Sequence, residues 1–202
     1  MTPALKAVVF DIGNVLIRWD PVQAFLPALG DRAKVDAFLD RIHFPALNLR
    51  GDAGVPFADL AQEIADPADR AVFSTYLPNY PRSITEPIEA TWALIPRLKA
   101  RGLQIHAITN WSAETWPAGL AAHPRLGASF GVTVVSGHEG CIKPDPAIFA
   151  RLCDRAELDP QACLFIDDSA RNVAGARDFG MEAVLFTDSA ALEGALQDRG
   201  LL

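Results

Sequence analysis

Short apolar runs, divided by stretches of helical periodicity, set the pattern of this chain. Residues 5–10 are largely apolar and β-branched, and the run stops at Asp11, as a buried strand would. Residues 103–109 and 162–166 repeat the pattern, and 132–135 and 183–186 are weaker versions of it. Helical segments lie between them. Residues 86–101 have helical spacing and close on Gly102, a residue type that readily ends a helix. Residues 146–157 open with a proline in the first turn, and 170–179 run up to Gly180. Strands alternating with helices predict an α/β fold, a doubly wound, Rossmann-like parallel sheet covered on both faces.

One connection breaks the alternation. About ninety residues separate the first strand from the second, whereas a simple crossover needs roughly a dozen. Residues 17–82 read instead as several short helices. Asp20-Pro21 and Asp66-Pro67 look like helix starts, and 31–42 carries apolar residues at Val35, Phe38, Leu39 and Ile42. Open parallel sheets bind ligands outside the carboxyl ends of their strands, and a small helical cap inserted after strand one would cover that edge.

Composition narrows the partners. The 202 residues suit one domain with an insertion, and the net charge of -7 comes with no basic cluster, which argues against nucleic acid. No apolar run approaches the roughly 20 residues of a membrane span. Asp11 also interrupts the N-terminal run before it reaches signal-peptide length, so a soluble, cytoplasmic protein is expected. Cys141, Cys153 and Cys163 form no CxxC pair and read as small apolar residues in a reducing compartment. His43, His106, His123 and His138 lack metal-ligand spacing, and His106 reads as a core residue of a strand. Oligomeric state leaves no mark on the sequence.

Chemistry gathers at the strand ends. The first strand ends in Asp11-Ile12-Gly13-Asn14-Val15, the second in Thr109-Asn110, and the strand from 162 in Asp167-Asp168. A loop after the weaker strand holds Lys143-Pro144-Asp145-Pro146. Three carboxylates converging on one edge repel each other unless a cation sits among them, and Mg²⁺ suits such oxygen ligands. A lysine beside them favours an anionic substrate such as a phosphate ester. An aspartate can also attack directly, through an aspartyl-phosphate.

These four elements, in this order, resemble the four motifs of the haloacid dehalogenase-like (HAD) hydrolase superfamily. The resemblance covers essentially the whole chain and implies a HAD core over 1–16 and 83–202, with a helical C1 cap over 17–82. It implies a phosphatase acting on a small phosphorylated molecule. Asp11 matches the nucleophile. Thr109 and the Asn110 backbone match the holders of a phosphoryl oxygen, and Lys143 matches the lysine that neutralises nucleophile and phosphate. Asp11, the Gly13 carbonyl, Asp167 and Asp168 match the magnesium site, with Ser169 and Asn172 opening the helix beside it. Trp111 directly follows the second motif and is expected to border the substrate. Arg50-Gly51-Asp52, in a polar loop between cap helices, is expected to face the substrate through Arg50, a surface turn being the competing reading.

The chain departs from the common pattern at Gly13, where many family phosphatases carry an aspartate that protonates the leaving alcohol. The D-x-G-N-V version resembles a bacterial branch that includes α-glucose-1-phosphate phosphatase. A missing acid matters least when the leaving group is itself acidic, so sugar 1-phosphates, aryl phosphates and acyl phosphates are the expected esters. Asp20 and Asp52 are the candidate replacement acids. Two other readings stand beside this one. One is a metal-free 2-haloacid dehalogenase, disfavoured because Asp167 and Asp168 would repel a carboxylate substrate. The other is a weakly catalytic binding or regulatory protein that kept the site without the acid.

Overall fold

The computed structural model describes residues 4–202, so the first three residues of the expected core segment lie outside the described residues. Five strands form one sheet: β1 (Ala7–Phe10), β2 (Gln104–Thr109), β3 (Thr133–Val135), β4 (Cys163–Asp167) and β5 (Glu182–Leu185). All neighbours are parallel, in the order β3-β2-β1-β4-β5. β1 is central, and its four side chains have no solvent exposure. Val8 and Phe10 pack into one apolar cluster, and Ala7 and Val9 into the other. This two-sided burial is why the run lacks the polar alternation of a half-exposed strand. Phe10 pairs with Ala107 on one side and Ile166 on the other, so the chain ends after β1, β2 and β4 emerge on the same edge.

Between β1 and β2 run six short helices: α1 (Val22–Leu29), α2 (Arg32–Arg41), α3 (Phe44–Asp52), α4 (Phe57–Gln62), α5 (Pro67–Phe73) and α6 (Tyr76–Asn79). A 3-10 turn, Tyr80–Ile84, follows. Asp31 caps α2 by accepting from the Lys34 N–H, and Asp66 caps α5 through the Ala68 and Asp69 N–H groups. Each helix is too short to persist alone. They hold together around Phe25, Phe38, Phe44, Phe57, Phe73 and Tyr76, all buried, with Phe25 stacked on Tyr76 at 5.4 Å between ring centres. The two ends of this insertion are tied together: the Arg18 N–H donates to the Glu86 carbonyl at 2.9 Å, and the Ile88 N–H to the Leu16 carbonyl at 2.8 Å.

The remaining helices flank the sheet: α7 (Glu89–Trp92), α8 (Leu94–Ala100), α9 (Trp116–Ala122), α10 (Arg125–Ala128), α11 (Ser136–Glu139), α12 (Pro146–Ala156), α13 (Ala170–Phe179) and α14 (Ser189–Gln197). Two expectations change. The helix expected over 86–101 starts at Glu89 and breaks at Ala93. Pro87 is drawn into an antiparallel bridge with Ile17, and Pro96 has no N–H to donate back to Trp92. Arg50-Gly51-Asp52 is no loop; it is the last turn of α3.

One close contact fixes the loop that carries Lys143. A Cβ on Gly175 of α13 would lie 2.4 Å from the Pro144 Cβ, far inside van der Waals contact. Gly175→Ala therefore forces the helix away from that loop. We expect a loss of about 1–3 kcal/mol, read as a lowered midpoint in thermal or urea unfolding; an unchanged midpoint would show that the loop yields freely.

Candidate functional site

Asp11 leaves β1 with its N–H donating to the Ile166 carbonyl of β4, at 2.8 Å. Its Oδ1 accepts from the Ile12 N–H at 2.7 Å and lies 2.8 Å from Lys143 Nζ. The chain then turns sharply, with Asn14 at φ 55°, a left-handed conformation that asparagine tolerates better than most residues. Lys143 is 2% exposed. Its ammonium reaches Asp167 Oδ2 at 2.7 Å and the Ile108 carbonyl at 3.1 Å, so all three of its donors have acceptors. The backbone of Lys143 is held as firmly. Its N–H donates to Asn110 Oδ1 at 2.8 Å, and Asn110 Nδ2 donates back to its carbonyl at 3.2 Å. Asp167, fully buried, also accepts from the Ser169 N–H at 2.8 Å and from the Asn172 amide at 3.0 Å.

One lysine thus faces three carboxylates. Carboxylate oxygens of Asp11, Asp167 and Asp168 lie within 4.8 Å of one another. Burial pushes the Asp11 carboxyl up to about 8, with Lys143 opposing the rise and Asp167 and Asp168 adding to it. Burial and the Asp167 charge likewise raise Asp168. Burial opposes the charge on Lys143, but Asp11 and Asp167 outweigh it and hold its pKa above the ordinary lysine value. The excess negative charge and the spacing of hard oxygen donors fit a divalent cation such as Mg²⁺ held by Asp11, Asp167 and Asp168.

Above this cluster lies a cleft of about 250 Å³ bordered by Asp11, Gly13, Asn14, Asn110, Lys143, Asp168 and Asn172. A more enclosed cavity of about 80 Å³ adjoins it through Gly13, Trp19, Asn48, Asp52 and Asn110, which border both spaces. Its walls are aromatic: Trp19, Tyr76, Tyr80 and Trp111. Trp111 brings a buried indole N–H for which no described residue is a hydrogen-bond partner. Trp116 packs edge-on against Trp111 at 5.3 Å. Thr109, 1% exposed, ends β2 directly before Asn110.

The structure therefore brings Asp11, Gly13, Asn110, Trp111, Lys143, Asp167 and Asp168 together, with Thr109 at the same strand end. It does not bring Arg50. That guanidinium forms a two-pronged ion pair with Glu63, at 2.5 and 2.8 Å, on a separate surface cleft. Asp52, two residues on, is the member of the segment that reaches the site. Burial pushes its carboxyl up to about 7, against the Ser112 amide and the attraction of Lys143. Asp20 stays outside, accepting from the Val22 N–H at 3.1 Å just ahead of α1 and lying 3.6 Å from Arg32. His106 is a buried core residue whose Nδ1 accepts from the Val132 N–H at 3.0 Å. Sequence reasoning missed Trp19, Asn48, Tyr76 and Tyr80. Only Asn48 left a signal, four residues before Asp52 and hence on the same helix face.

Comparisons with known proteins point to one family. A family model described as haloacid dehalogenase-like hydrolase matches residues 5–180. Flavin mononucleotide hydrolase 1 of Arabidopsis thaliana is 32% identical over 108 residues, 54% of this chain and 43% of that protein. The sesquiterpene phosphatase astK of Aspergillus oryzae is 24% identical over 95% of this chain and 94% of its own length. A HAD family enzyme of Bacteroides thetaiotaomicron, solved in complex with magnesium and inorganic phosphate, superposes with a TM-score of 0.70. That match is 20% identical and covers 92% of this chain and 96% of the other.

The raised Asp11 pKa has a consequence for stability. An aspartate whose folded pKa stands at about 8, against an ordinary 3.8, stabilises the fold fully only below pH 4. That contribution is lost as pH rises through 8. Asp11→Asn keeps an Oδ1 for both the Ile12 N–H and Lys143 while removing the charge. With chelator present at neutral pH, the variant should unfold at a higher midpoint than the wild type, and the difference should shrink toward pH 4. A lower midpoint at pH 7.5 would mean that the Asp11 charge stabilises the fold.

Proposed function

The chain belongs to the haloacid dehalogenase-like hydrolase family, and on that premise we propose that it is a magnesium-dependent phosphatase of a small phosphorylated metabolite. The observation that carries this reading is a single buried lysine shared by Asp11 and Asp167, beneath a cleft that Asp168 also borders. A site holding this many carboxylates is suited to a cation and a phosphate together, and poorly suited to a haloacid carboxylate alone. Asp11 attacks phosphorus and carries the phosphoryl group as an aspartyl-phosphate. Thr109 and the Asn110 backbone hold a phosphoryl oxygen, and Lys143 neutralises nucleophile and phosphate. Asp11, Asp167 and Asp168, with the Gly13 carbonyl, would hold the magnesium ion. When bound, magnesium offsets the negative charge that gathers on the phosphoryl oxygens.

The two relatives, named as a flavin mononucleotide hydrolase and a sesquiterpene phosphatase, support phosphate-ester chemistry. Within this reading the substrate is a sugar 1-phosphate. Aromatic faces at Trp19, Tyr76 and Tyr80 beside the polar groups of Asn48 and Asp52 suit a sugar ring, and the Trp111 N–H offers a donor to one of its oxygens. The free cysteines support the cytoplasmic expectation, and no helix among the described residues is long and apolar enough to cross a membrane.

Two panels test this reading, one of phosphate monoesters including sugar 1-phosphates and one of 2-haloacids, each run with Mg²⁺ and with chelator. Phosphate release should require Mg²⁺, and Asp11→Asn should lower it by several orders of magnitude, on the scale of a lost nucleophile. Halide release that persists in chelator would replace the phosphatase with a dehalogenase. Equal rates on sugar 1- and 6-phosphates would remove the sugar 1-phosphate assignment.

A further inference from the structure

An alkoxide leaves phosphorus reluctantly at neutral pH, so the departing oxygen of a simple ester needs a proton. Five titratable side chains stand around the cleft or directly beneath it: Asp11, Asp52, Lys143, Asp167 and Asp168. Asp11 is committed to attack. Lys143 is spent on Asp11, Asp167 and the Ile108 carbonyl. Asp167 lies beneath the cleft, tied to Lys143, Ser169 and Asn172. Asp168 sits with Asp11 and Asp167 in the carboxylate cluster. Asp52 differs from all of them. It comes from the helical insertion, at the end of α3, and it borders both the cleft over Asp11 and the aromatic cavity beside it.

Three further observations mark Asp52 as a placed group. Asn48, one turn earlier, donates its amide to Asp52 Oδ2 at 2.9 Å, which orients the carboxyl. The Asp52 carbonyl accepts from the Ser136 hydroxyl at 2.6 Å, and Ser136 Oγ in turn accepts from the Trp111 backbone N–H at 2.9 Å. The helix end is thereby fastened to the loop that follows β2. Moreover, no described arginine or lysine forms an ion pair with Asp52, and burial outweighs the Ser112 amide and the more distant Lys143 charge that favour its ionised form.

Resting on the phosphatase reading above, we propose that Asp52 is the general acid and base of the reaction, reaching across from the insertion to the oxygen that leaves phosphorus. As Asp11 bonds to phosphorus and the ester P–O bond breaks, the Asp52 carboxylic acid gives its proton to the departing oxygen, and the alcohol is released neutral. The Asp52 carboxylate then takes one proton from a water whose oxygen bonds to phosphorus. The P–O bond to Asp11 breaks, which restores the Asp11 carboxylate, the Asp52 acid and one hydrogen phosphate. A carboxyl that burial lifts to about 7 suits both directions of transfer. The bare position at Gly13 fits the same picture. A Cβ there would meet no atom within 4 Å, so neither the nucleophile nor the insertion crowds it.

The first measurement needs no variant. Values of kcat/KM for wild-type enzyme, with Mg²⁺, are compared across aryl and alkyl phosphates of rising leaving-group pKa. An acid in place gives a shallow dependence; a steep decline would overturn the proposal, because the oxygen would then be leaving unprotonated. If no ester is hydrolysed at all, the phosphatase reading itself has failed, which is a different result. In Asp52→Asn the dependence should become steep, with alkyl esters losing roughly 10²–10⁴-fold. With 4-nitrophenyl phosphate this variant should release about one nitrophenol per enzyme in a burst and then turn over slowly, since water lacks its base. Gly13→Asp added to Asp52→Asn should restore alkyl-ester turnover. A uniform loss across all esters with no burst, or no loss, would overturn the assignment.

Discussion

The ammonium of Lys143, shut away between Asp11 and Asp167, is the interaction on which the rest of the site depends. Burying any of these charges alone would cost several kcal/mol. The cost is tolerable only because each charge meets a partner at close to ideal distance, 2.8 Å to Asp11 and 2.7 Å to Asp167. The balance is still incomplete. Asp168 adds a third carboxylate, and burial, with the neighbouring carboxylates adding to it, raises the pKa values of Asp11 and Asp168. A cluster left negative by design of the fold draws a cation, and the lysine held in place lets an anion approach all the same.

The sheet supplies the geometry. Because β1 is central and buried on both faces, the ends of its neighbours β2 and β4 are fixed relative to Asp11 by backbone pairing alone. Lys143 lies on no strand, and it is the Asn110 side chain that brings it in, matching both the N–H and the carbonyl of the lysine with one amide. Asn110 thus serves the loop through its side chain while its backbone stays at the strand end. The tight approach of Gly175 to Pro144 closes the same loop from the other side.

The strands were legible because each is a short apolar run ending at a polar residue, and the acids and hydroxyl follow directly at those ends. The helix expected from 86 began late because its periodicity continued through Pro87, a residue that tertiary pairing with Ile17 claims instead. The Arg50-Gly51-Asp52 segment shows a sharper limit. Successive helix positions turn by about 100°, so Arg50 and Asp52 point roughly 200° apart. Once the segment is helical, only one of them can face the sheet. Charge alone drew attention to Arg50, whereas the Asn48 and Asp52 spacing held the better signal. The aromatic walls come from Trp19 before α1, Tyr76 in α6, Tyr80 in the following turn and Trp111 after β2. Nothing in sequence order joins those four, because packing alone assembles them.

The site is therefore split between two bodies of structure that fold for different reasons. The sheet edge is set by backbone pairing, while the insertion is held largely by aromatic packing, in which Phe44 meets both Phe25 and Tyr76 edge to face. The two share one continuous apolar cluster, with Tyr80 of the insertion packed on Trp111 at 5.9 Å, and directional bonds cross between them from the Ser136 hydroxyl to the Asp52 carbonyl and from the Phe57 N–H to the Glu114 carboxylate at 2.7 Å. Apolar surfaces alone would let the insertion slide, since packing forces are not directional. Hydrogen bonds to the ends of α3 and α4 instead set one register. Gly137 permits that register, because a Cβ there would lie 2.3 Å from the Ala113 nitrogen and push α11 off the loop that carries Trp111. The position of Asp52 over the cleft is thus set where α11 meets the end of α3.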